Sequence, residues 1–143
     1  MTIKRTVAFI AIAVLCGASV EAHHSFAAQY DANKPITLRG TISRMLWSNP
    51  HGHLYIEVKM PDGKVVTWEL ETAAPAGLYR RGWRRDDLPV GAEVVVRAFL
   101  ARDGTPTANA TTVTLTSTGK ELFAGSAGTG APVEPPGEEP APR

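Results

Sequence analysis

The four histidines are the side chains of this sequence best suited to bind a ligand. His51 and His53 are separated by one residue and follow the turn Asn49-Pro50, whereas His23 and His24 adjoin each other near the N-terminus. Imidazole is the most frequent transition-metal ligand in proteins, and it titrates close to neutral pH. Two imidazoles two residues apart at the start of a strand point to the same side of a sheet. The spacing therefore indicates a binding site at this turn.

A histidine at the very N-terminus of a chain can chelate one ion through its amine and its ring. If a leader is cleaved after Ala22, the mature chain begins at His23, which then forms this chelate. His51 or His53 supplies the third nitrogen, and His24 is the substitute. Three nitrogens in a T-shaped arrangement suit Cu(II), so copper is the expected cofactor. Because the amine and the imidazole bind only when neutral, we expect the affinity to fall as the pH drops through about 6–7.

The alternative hypothesis gives the histidines no ligand. In it, His23 and His24 belong to a flexible arm, and His51 satisfies the backbone of a tight turn. The two hypotheses are compatible at His51, because a metal-bound imidazole also needs a partner that orients its second nitrogen.

Residues 1–22 predict a secretory signal peptide. Lys4 and Arg5 precede an apolar run, and small residues follow it up to Ala22; cleavage after Ala18 is the alternative. The run is too short for a bilayer span, which needs about 20 residues. We expect a periplasmic or secreted protein of the bacterial envelope that does not span the membrane once the signal is removed.

Cleavage also removes Cys16, so the mature chain has no cysteine and must be stabilised by burial alone. The sequence has 15 basic and 14 acidic residues, and the signal contains two of the basic ones and one of the acidic ones. The mature chain therefore keeps 13 of each and has zero net charge when its histidines are neutral. A neutral chain lacks the basic bias of a dedicated nucleic-acid-binding protein, which argues against nucleic acid as a partner.

Alternation of apolar and polar residues predicts an all-β domain between residues 35 and 118. Five strands are expected, at residues 36–47, 53–60, 64–71, 93–100 and 108–115, with a short helix at residues 73–81. A helix between the third and fourth of five strands is typical of a small OB-like Greek-key barrel. A half-open sandwich of five strands is the alternative architecture.

The helix is expected to be capped by Thr72, to end at Gly82 and to plug one end of the barrel with Leu78, Tyr79 and Trp83. Residues 23–34 are expected to form an N-terminal arm. Residues 119–143 are rich in Gly, Pro, Ala and Glu, which predicts a disordered tail from which only Leu122 and Phe123 could dock.

Gly40 interrupts the first strand and indicates a bulge or a sharp bend there. Trp68 alternates with apolar residues along its strand and is expected in the core. Trp47 has two candidate roles, since it either binds a ligand or packs beneath the N-terminal arm against Phe26 or Tyr30.

The ligand-binding role of Trp47 depends on the outer face of the sheet, where OB folds commonly bind extended ligands. Trp47, Tyr55 and Glu57 are expected to share this face with His53, next to the turn at Asn49. In this hypothesis Trp47 stacks on a sugar or a base.

Four arginines between residues 80 and 85 surround Trp83 and could grip phosphates or a stacked base. Two aspartates follow directly and reduce the field of the arginines. We therefore predict a solvated rim that is anchored by a buried Trp83.

No catalytic signature is complete. Ser25 adjoins His24 without a nucleophile elbow around it. Glu69 and Glu71 could act as an acid–base pair, but a carboxylate pair on a strand that faces water is ordinarily unperturbed. We expect a protein that is not an enzyme.

Several segments match a known pattern of small exported proteins. These segments are His23-His24-Ser25-Phe26-Ala27, the stretch from Asp31 to Ile36, Trp47-Ser48-Asn49-Pro50-His51, the stretch from Leu78 to Trp83 with Asp87, Leu88 and Gly91, Asp103-Gly104, Ala108-Asn109-Ala110 and Phe123-Ala124-Gly125. Through them the chain resembles a family of exported bacterial proteins called domain of unknown function 6152. The resemblance implies export and a small β-barrel domain, and it implies no reaction.

These observations predict a non-enzymatic exported binding domain that holds Cu(II) through an N-terminal histidine and the Asn-Pro-His turn. The alternative is a structural or interaction module of the cell envelope, which meets a protein or a glycan and binds no metal.

Overall fold

The computed structural model describes residues 26–125. The predicted signal peptide, His23, His24 and the part of the predicted tail from residue 126 onward lie outside the described residues.

The described chain is mostly β, as the alternation predicts. Residues 26–29 are helical and lead into the first strand. The strands are β1 (Tyr30–Leu46), β2 (Gly52–Lys59), β3 (Val65–Thr72), β4 (Glu93–Ala101), β5 (Thr107–Leu115) and β6 (Glu121–Phe123). A short helix, α1 (Pro75–Arg80), and a 3-10 turn (Arg85–Asp87) lie between β3 and β4, which confirms the predicted position of the helix. Among residues 26–125, no helix is long and hydrophobic enough to cross a membrane.

All six strands belong to one sheet in the order β3-β2-β1-β4-β5-β6, and neighbours in this order are antiparallel. β3 and β5 are joined in addition by a parallel ladder, in which Glu69 pairs with Thr107 and Glu71 with Asn109. This extra pairing places the outward side chains of β3 next to those of β5.

The sheet extends beyond both ends of the predicted domain at residues 35–118. Tyr30 pairs with Ala101 at the start of β1, and Leu122 pairs with Val113 in β6. Tyr30 and Leu122 are both buried. Burial of these two side chains therefore orders segments in which the alternation of residues gives no strand signal.

The core lies between the inward faces of the strands. Its larger fully buried members are Ile42, Leu54, Ile56, Leu70, Leu78, Trp83, Val94, Val96 and Val113. Leu78 and Trp83 thus bury as predicted, whereas Tyr79 is 38% exposed. Trp68 packs against this core and is only half-buried.

Helix α1 begins differently from the prediction. Its N-cap is Ala74, which makes no side-chain capping bond, and Pro75 occupies the first turn. Thr72 does not cap the helix because it is the buried last residue of β3, and its hydroxyl donates to the carbonyl of Ala73 at 3.2 Å. Gly82 does follow the helix, with a positive φ of 92° that favours glycine.

Gly40 is required for close approach of two strands rather than for a bulge. The register shift between β1 and β2 lies between Ile42 and Arg44, so the predicted bulge at Gly40 is wrong. A Cβ at Gly40 would lie 2.6 Å from the carbonyl oxygen of Glu57. Only glycine lets β1 pass this close to the backbone of β2.

We expect Gly40→Ala to lower the free energy of unfolding by about 1–3 kcal/mol, the cost of overpacking, because the new methyl group must displace the backbone at Glu57. Urea denaturation measures this change. Gly77→Ala is the matched control, since its Cβ would meet Ala73 at an ordinary 3.5 Å. Alanine is also the better helix former by about 1 kcal/mol, so this variant should not be destabilised. Equal stability of Gly40→Ala and the wild type would contradict the steric argument.

Candidate functional site

A cleft of about 550 Å³ on the outer face of the sheet brings together histidine and acidic side chains. Its lining includes Tyr30 of β1, His53 of β2, and Glu69 and Glu71 of β3. The loop between β4 and β5 forms another wall, to which Asp103 contributes a further carboxylate.

The alternation of the strands explains why these side chains meet. Leu70 points into the core, so Glu69 and Glu71 point outward. His53 lies opposite Glu71 in the β2–β3 ladder, and Asn109 lies opposite Glu71 in the parallel β3–β5 ladder. Glu71 is therefore flanked by polar side chains from both neighbouring strands.

Glu71 is the centre of a polar cluster. The Tyr30 hydroxyl donates to Oε2 at 3.0 Å, and the Asn109 amide donates to Oε1 at 3.2 Å. His51 Nδ1 lies 3.6 Å from Oε1, and the Glu71 side chain is only 14% exposed. A carboxylate in such a position is stabilised by these donors because much of its hydration has been removed.

The pKa of Tyr30 is raised well above its ordinary value. Burial is the main cause, and the negative charge of Glu71 and the hydrogen bond to it add to the effect. Tyr30 therefore remains a neutral donor to Glu71 at every physiological pH.

Each histidine of the turn directs its Nδ1 atom toward a glutamate of β3. His53 Nδ1 lies 2.9 Å from Glu69 Oε1, and His51 Nδ1 faces Glu71. Both Nδ1 atoms are buried, and neither makes an aligned hydrogen bond within residues 26–125. Nδ1 of His53 and Oε1 of Glu69 are thus within hydrogen-bond distance but are not aligned for a hydrogen bond. The two side chains form an ion pair only when the ring is protonated. Nε2 is the remaining nitrogen of each ring.

An aromatic cluster holds the start of the described chain beside this cleft. Phe26 is 5% exposed and contacts the rings of Tyr30 and Phe99, with centroids 5.6 and 5.9 Å away. Arg102 Nε also donates to the carbonyl of Ala27 at 2.8 Å. Phe26, the first described residue after the predicted mature N-terminus, is therefore anchored beside the cleft.

The described residues do not complete a metal site by themselves. Within residues 26–125, no three His, Cys, Asp or Glu side chains are grouped so that they could hold a metal ion. His51 and His53 lie in the described part, whereas His23 and His24 do not.

Trp47 lies away from the cleft. It stacks on Tyr79 of α1 with ring centroids 5.4 Å apart and meets Trp83 edge-on at 6.3 Å. The predicted packing of Trp47 against Phe26 or Tyr30 is wrong, because these two belong to a separate aromatic cluster around Phe99. Helix α1, which follows β3, provides the partner that the sequence pattern did not reveal.

The other predicted ligand-binding residues also lie outside the cleft lining. The guanidinium of Arg44 lies 4.2 Å from the ring centre of Tyr55. Glu57 is exposed on β2, and Asn49 is exposed in the turn, where it precedes Pro50 through a cis peptide bond. The structure therefore brings His51 and His53 to the carboxylates and leaves Trp47, Asn49, Tyr55 and Glu57 apart from them.

Sequence reasoning missed Tyr30 and Asn109 as members of the cluster. Asn109 is 1% exposed and stands between two buried alanines. A polar residue between small apolar ones in a strand was the available signal, since buried amides require partners. Tyr30 carried no comparable signal because it lay in the predicted arm.

A family model for a family of unknown function, DUF6152, matches residues 11–110. The chain belongs to this family. The predicted resemblance is thereby confirmed. No curated protein and no solved structure matched the chain, and the DUF6152 description assigns no chemistry to the cleft.

We expect Tyr30→Phe to lower the free energy of unfolding by about 1.5–3 kcal/mol at neutral pH, since it removes a hydrogen bond to a charged group. The pKa of Tyr30 is raised in the folded state. Its stabilisation is therefore fully present below the unfolded pKa of about 10 and is lost as the pH rises through the native value. Urea denaturation as a function of pH measures both effects.

The difference in stability between the wild type and Tyr30→Phe should shrink as the pH rises above about 10. Tyr55→Phe, which removes a hydroxyl from outside the cluster, is the matched control. A difference that stays constant over this pH range would show that Tyr30 is not coupled to Glu71.

Proposed function

We propose that this DUF6152 protein is a non-enzymatic binding domain of the bacterial envelope that holds a transition metal, with Cu(II) as the ion. The supporting observation is that His51 and His53 both direct Nδ1 toward a carboxylate of β3. Metal-binding histidines commonly face a carboxylate through one ring nitrogen, which orients the ring and leaves the other nitrogen for the metal. In this proposal the third ligand atom is Nε2 of His51 or of His53.

The remaining ligands come from the predicted mature N-terminus. His23 precedes Phe26 by three residues in the sequence, a distance that an extended chain spans in about 10 Å. Phe26 contacts Tyr30, whose hydroxyl bonds to Glu71 in the cleft. In this proposal the amine and ring of His23 reach the imidazole that supplies the third nitrogen, and His24 is the substitute ligand.

The proposal includes closure of the sheet into an OB-like Greek-key barrel of five strands, to which β6 is added. Its support is the parallel pairing of β3 with β5, because β1 already pairs with both β2 and β4. OB folds bind ligands on strands 2 and 3 and on the loops after strands 1 and 4. His51, His53, Glu69 and the loop at Asp103 occupy the corresponding positions.

Export is a further part of the proposal, with the signal cleaved after Ala22. Cleavage after Ala18 would leave residues 19–22 ahead of His23 and abolish the terminal chelate. Mass spectrometry of the N-terminus of the secreted protein distinguishes the two products.

The alternative proposal is an envelope interaction module without metal, with Trp47 and Tyr55 on the surface that meets a protein or glycan. It receives less support because the Trp47 ring already contacts Tyr79 and Arg85, while Tyr55 contacts Arg44. Metal analysis of protein taken directly from the periplasm separates the two functions.

We expect the chain that begins at His23 to bind one Cu(II) ion near neutral pH in calorimetry. One glycine added ahead of His23 should weaken binding at least about 10-fold, or 1.4 kcal/mol, because the terminal amine is displaced. Affinity should also fall as the pH drops, because the amine and the imidazoles bind the metal only in their neutral forms. Equal affinity with and without the added glycine would show that the terminal chelate is wrong.

Glu69→Gln and Glu71→Gln test the carboxylates that orient the rings. We expect the variant that removes the partner of the third ligand, Glu71 for His51 or Glu69 for His53, to weaken Cu(II) binding about 10–100-fold. Glu57→Gln is the matched control, since it neutralises an exposed carboxylate of the same sheet outside the cleft.

His51→Ala and His53→Ala identify the third ligand, because only the ligand's replacement should abolish binding. A loss of thermal stability in His51→Ala with unchanged metal content would favour the alternative module. Unchanged affinity in both glutamate variants would exclude the cleft as the site.

A further inference from the structure

A cationic surface lies around helix α1, at a different place from the cleft. We call it the arginine surface, and it consists of Arg80, Arg81, Arg84, Arg85, Trp47 and Tyr79. All four arginines are exposed and Trp83 beneath them is fully buried, which confirms the predicted rim. Among residues 26–125, no carboxylate forms an ion pair with any of these arginines.

Two of the guanidinium groups are held against aromatic rings. Arg84 lies 5.9 Å from the ring centre of Tyr79, and Arg85 lies 5.4 Å from that of Trp47. Arg84 also donates to the carbonyl of Tyr79 at 3.2 Å and to that of Trp83 at 2.6 Å. These contacts restrict the guanidinium groups before any anion binds, so an anion that binds them orders fewer side chains.

Asp87, which follows the arginines in the sequence, offsets their charge only in part because both of its oxygens have other partners. Asp87 Oδ1 pairs with Lys120 at 2.6 Å, while Oδ2 accepts the backbone amide of Arg84 at 2.7 Å. The hydrogen bond from Lys120 is the main reason why the pKa of Asp87 is lowered. Both oxygens of Asp87 are thus engaged by groups other than the arginine side chains.

The described chain ends at the arginine surface. Arg81 Nη1 donates to the carbonyl of Gly125, the last described residue. Just before it, the carbonyl of Phe123 accepts the Trp83 indole N–H at 2.9 Å. Residues 126–143, called the tail below, therefore follow a residue that Arg81 of the arginine surface contacts.

The composition of the tail complements this surface. It contains Glu134, Glu138 and Glu139 against the single basic residue Arg143, and it contains five prolines. Proline-rich segments favour the extended polyproline II conformation and dock on exposed aromatic side chains at low entropic cost. The arginine surface offers guanidinium groups for the glutamates and the exposed part of the Tyr79 ring for the prolines.

We propose that the tail docks on the arginine surface of its own chain. Glu134 follows Gly125 by nine residues, which a polyproline II segment spans in about 28 Å, so the tail can cross α1 and return along it. Exposed ion pairs are individually weak, but the short tether gives the tail a high effective concentration. The docked tail occupies the arginines and excludes other anions from them. This proposal does not depend on metal binding at the cleft.

Nuclear magnetic resonance of the isotope-labelled full chain tests the docking. The variant combines Glu134→Gln, Glu138→Gln and Glu139→Gln, and it keeps the prolines and the tail length. We expect its spectrum to differ from the wild type at the Trp47 indole, the amides of residues 79–85 and the side-chain N–H groups of Arg84 and Arg85. The differences should disappear in salt of about 1 M, where the Debye length is about 3 Å.

Two further variants make the test specific. In an Arg84→Gln/Arg85→Gln background, the three glutamate substitutions should no longer shift the Trp47 signal. The matched control is Lys59→Gln, which removes an exposed cation of β2 and should leave the tail-dependent shifts intact.

Three outcomes would overturn the proposal. The first is an absence of shifts at residues 79–85 in the glutamate variant, and the second is shifts of equal size throughout the sheet. The third is shifts that vanish on dilution, which would show that the arginine surface binds the tail of a second copy.

Discussion

The half-buried charge of Glu71 is the constraint on which the outer face of this protein depends. A carboxylate that has lost most of its water destabilises the fold unless hydrogen-bond donors replace that water. Here one donor comes from Tyr30 in β1 and another from Asn109 in β5. The donors lie far apart in the sequence, so this single carboxylate joins the first strand and the fifth to β3.

The same constraint accounts for the extent of β1 and for the position of the cleft. Tyr30 reaches Glu71 because β1 begins at Tyr30, before the predicted domain start at residue 35, and Tyr30 pairs there with Ala101 of β4. That extension brings Phe26 onto Phe99, so an aromatic cluster packs around Tyr30, whose hydroxyl donates to the carboxylate. His53 lines the cleft on the β2 side, and the β4–β5 loop forms the wall across from it.

The parts of this arrangement that follow from local patterns were predictable from the sequence. Alternation predicted that His51 and His53 lie on the same side of the sheet, and the hairpin from β2 to β3 sets the register that places His53 opposite Glu71. The class of fold and the helix after β3 are likewise local consequences of residue spacing. Burial of Trp83 was also predictable from the sequence, because a single tryptophan among arginines has few other roles.

Long-range pairing accounts for what the sequence could not predict. The parallel ladder between β3 and β5 joins residues about forty positions apart and has no signature in either strand alone. Without that ladder, Asn109 is only an amide among alanines, and Glu71 is an ordinary surface carboxylate. Trp47 was misplaced for a similar reason, since its partner Tyr79 lies on a helix whose docking depends on the whole core.

The charge distribution shows why a nearly neutral chain still has two distinct surfaces. The formal net charge is +1. In the described part of the chain, carboxylates are nevertheless gathered at the cleft, and arginines without an ion pair among residues 26–125 lie around α1. The chain enters the described fold beside the carboxylates, at Phe26, and leaves it beside the arginines, at Gly125. Before a metal binds, a protonated amine at the predicted mature N-terminus would meet a surface of opposite sign, and so would the acidic tail. Since screening limits such attraction to about 8–10 Å at moderate salt, it acts only on segments that start next to the surface they bind. Both ends of the described chain satisfy that condition, and for this reason the two proposed sites can coexist on one small domain without competing for the same charges.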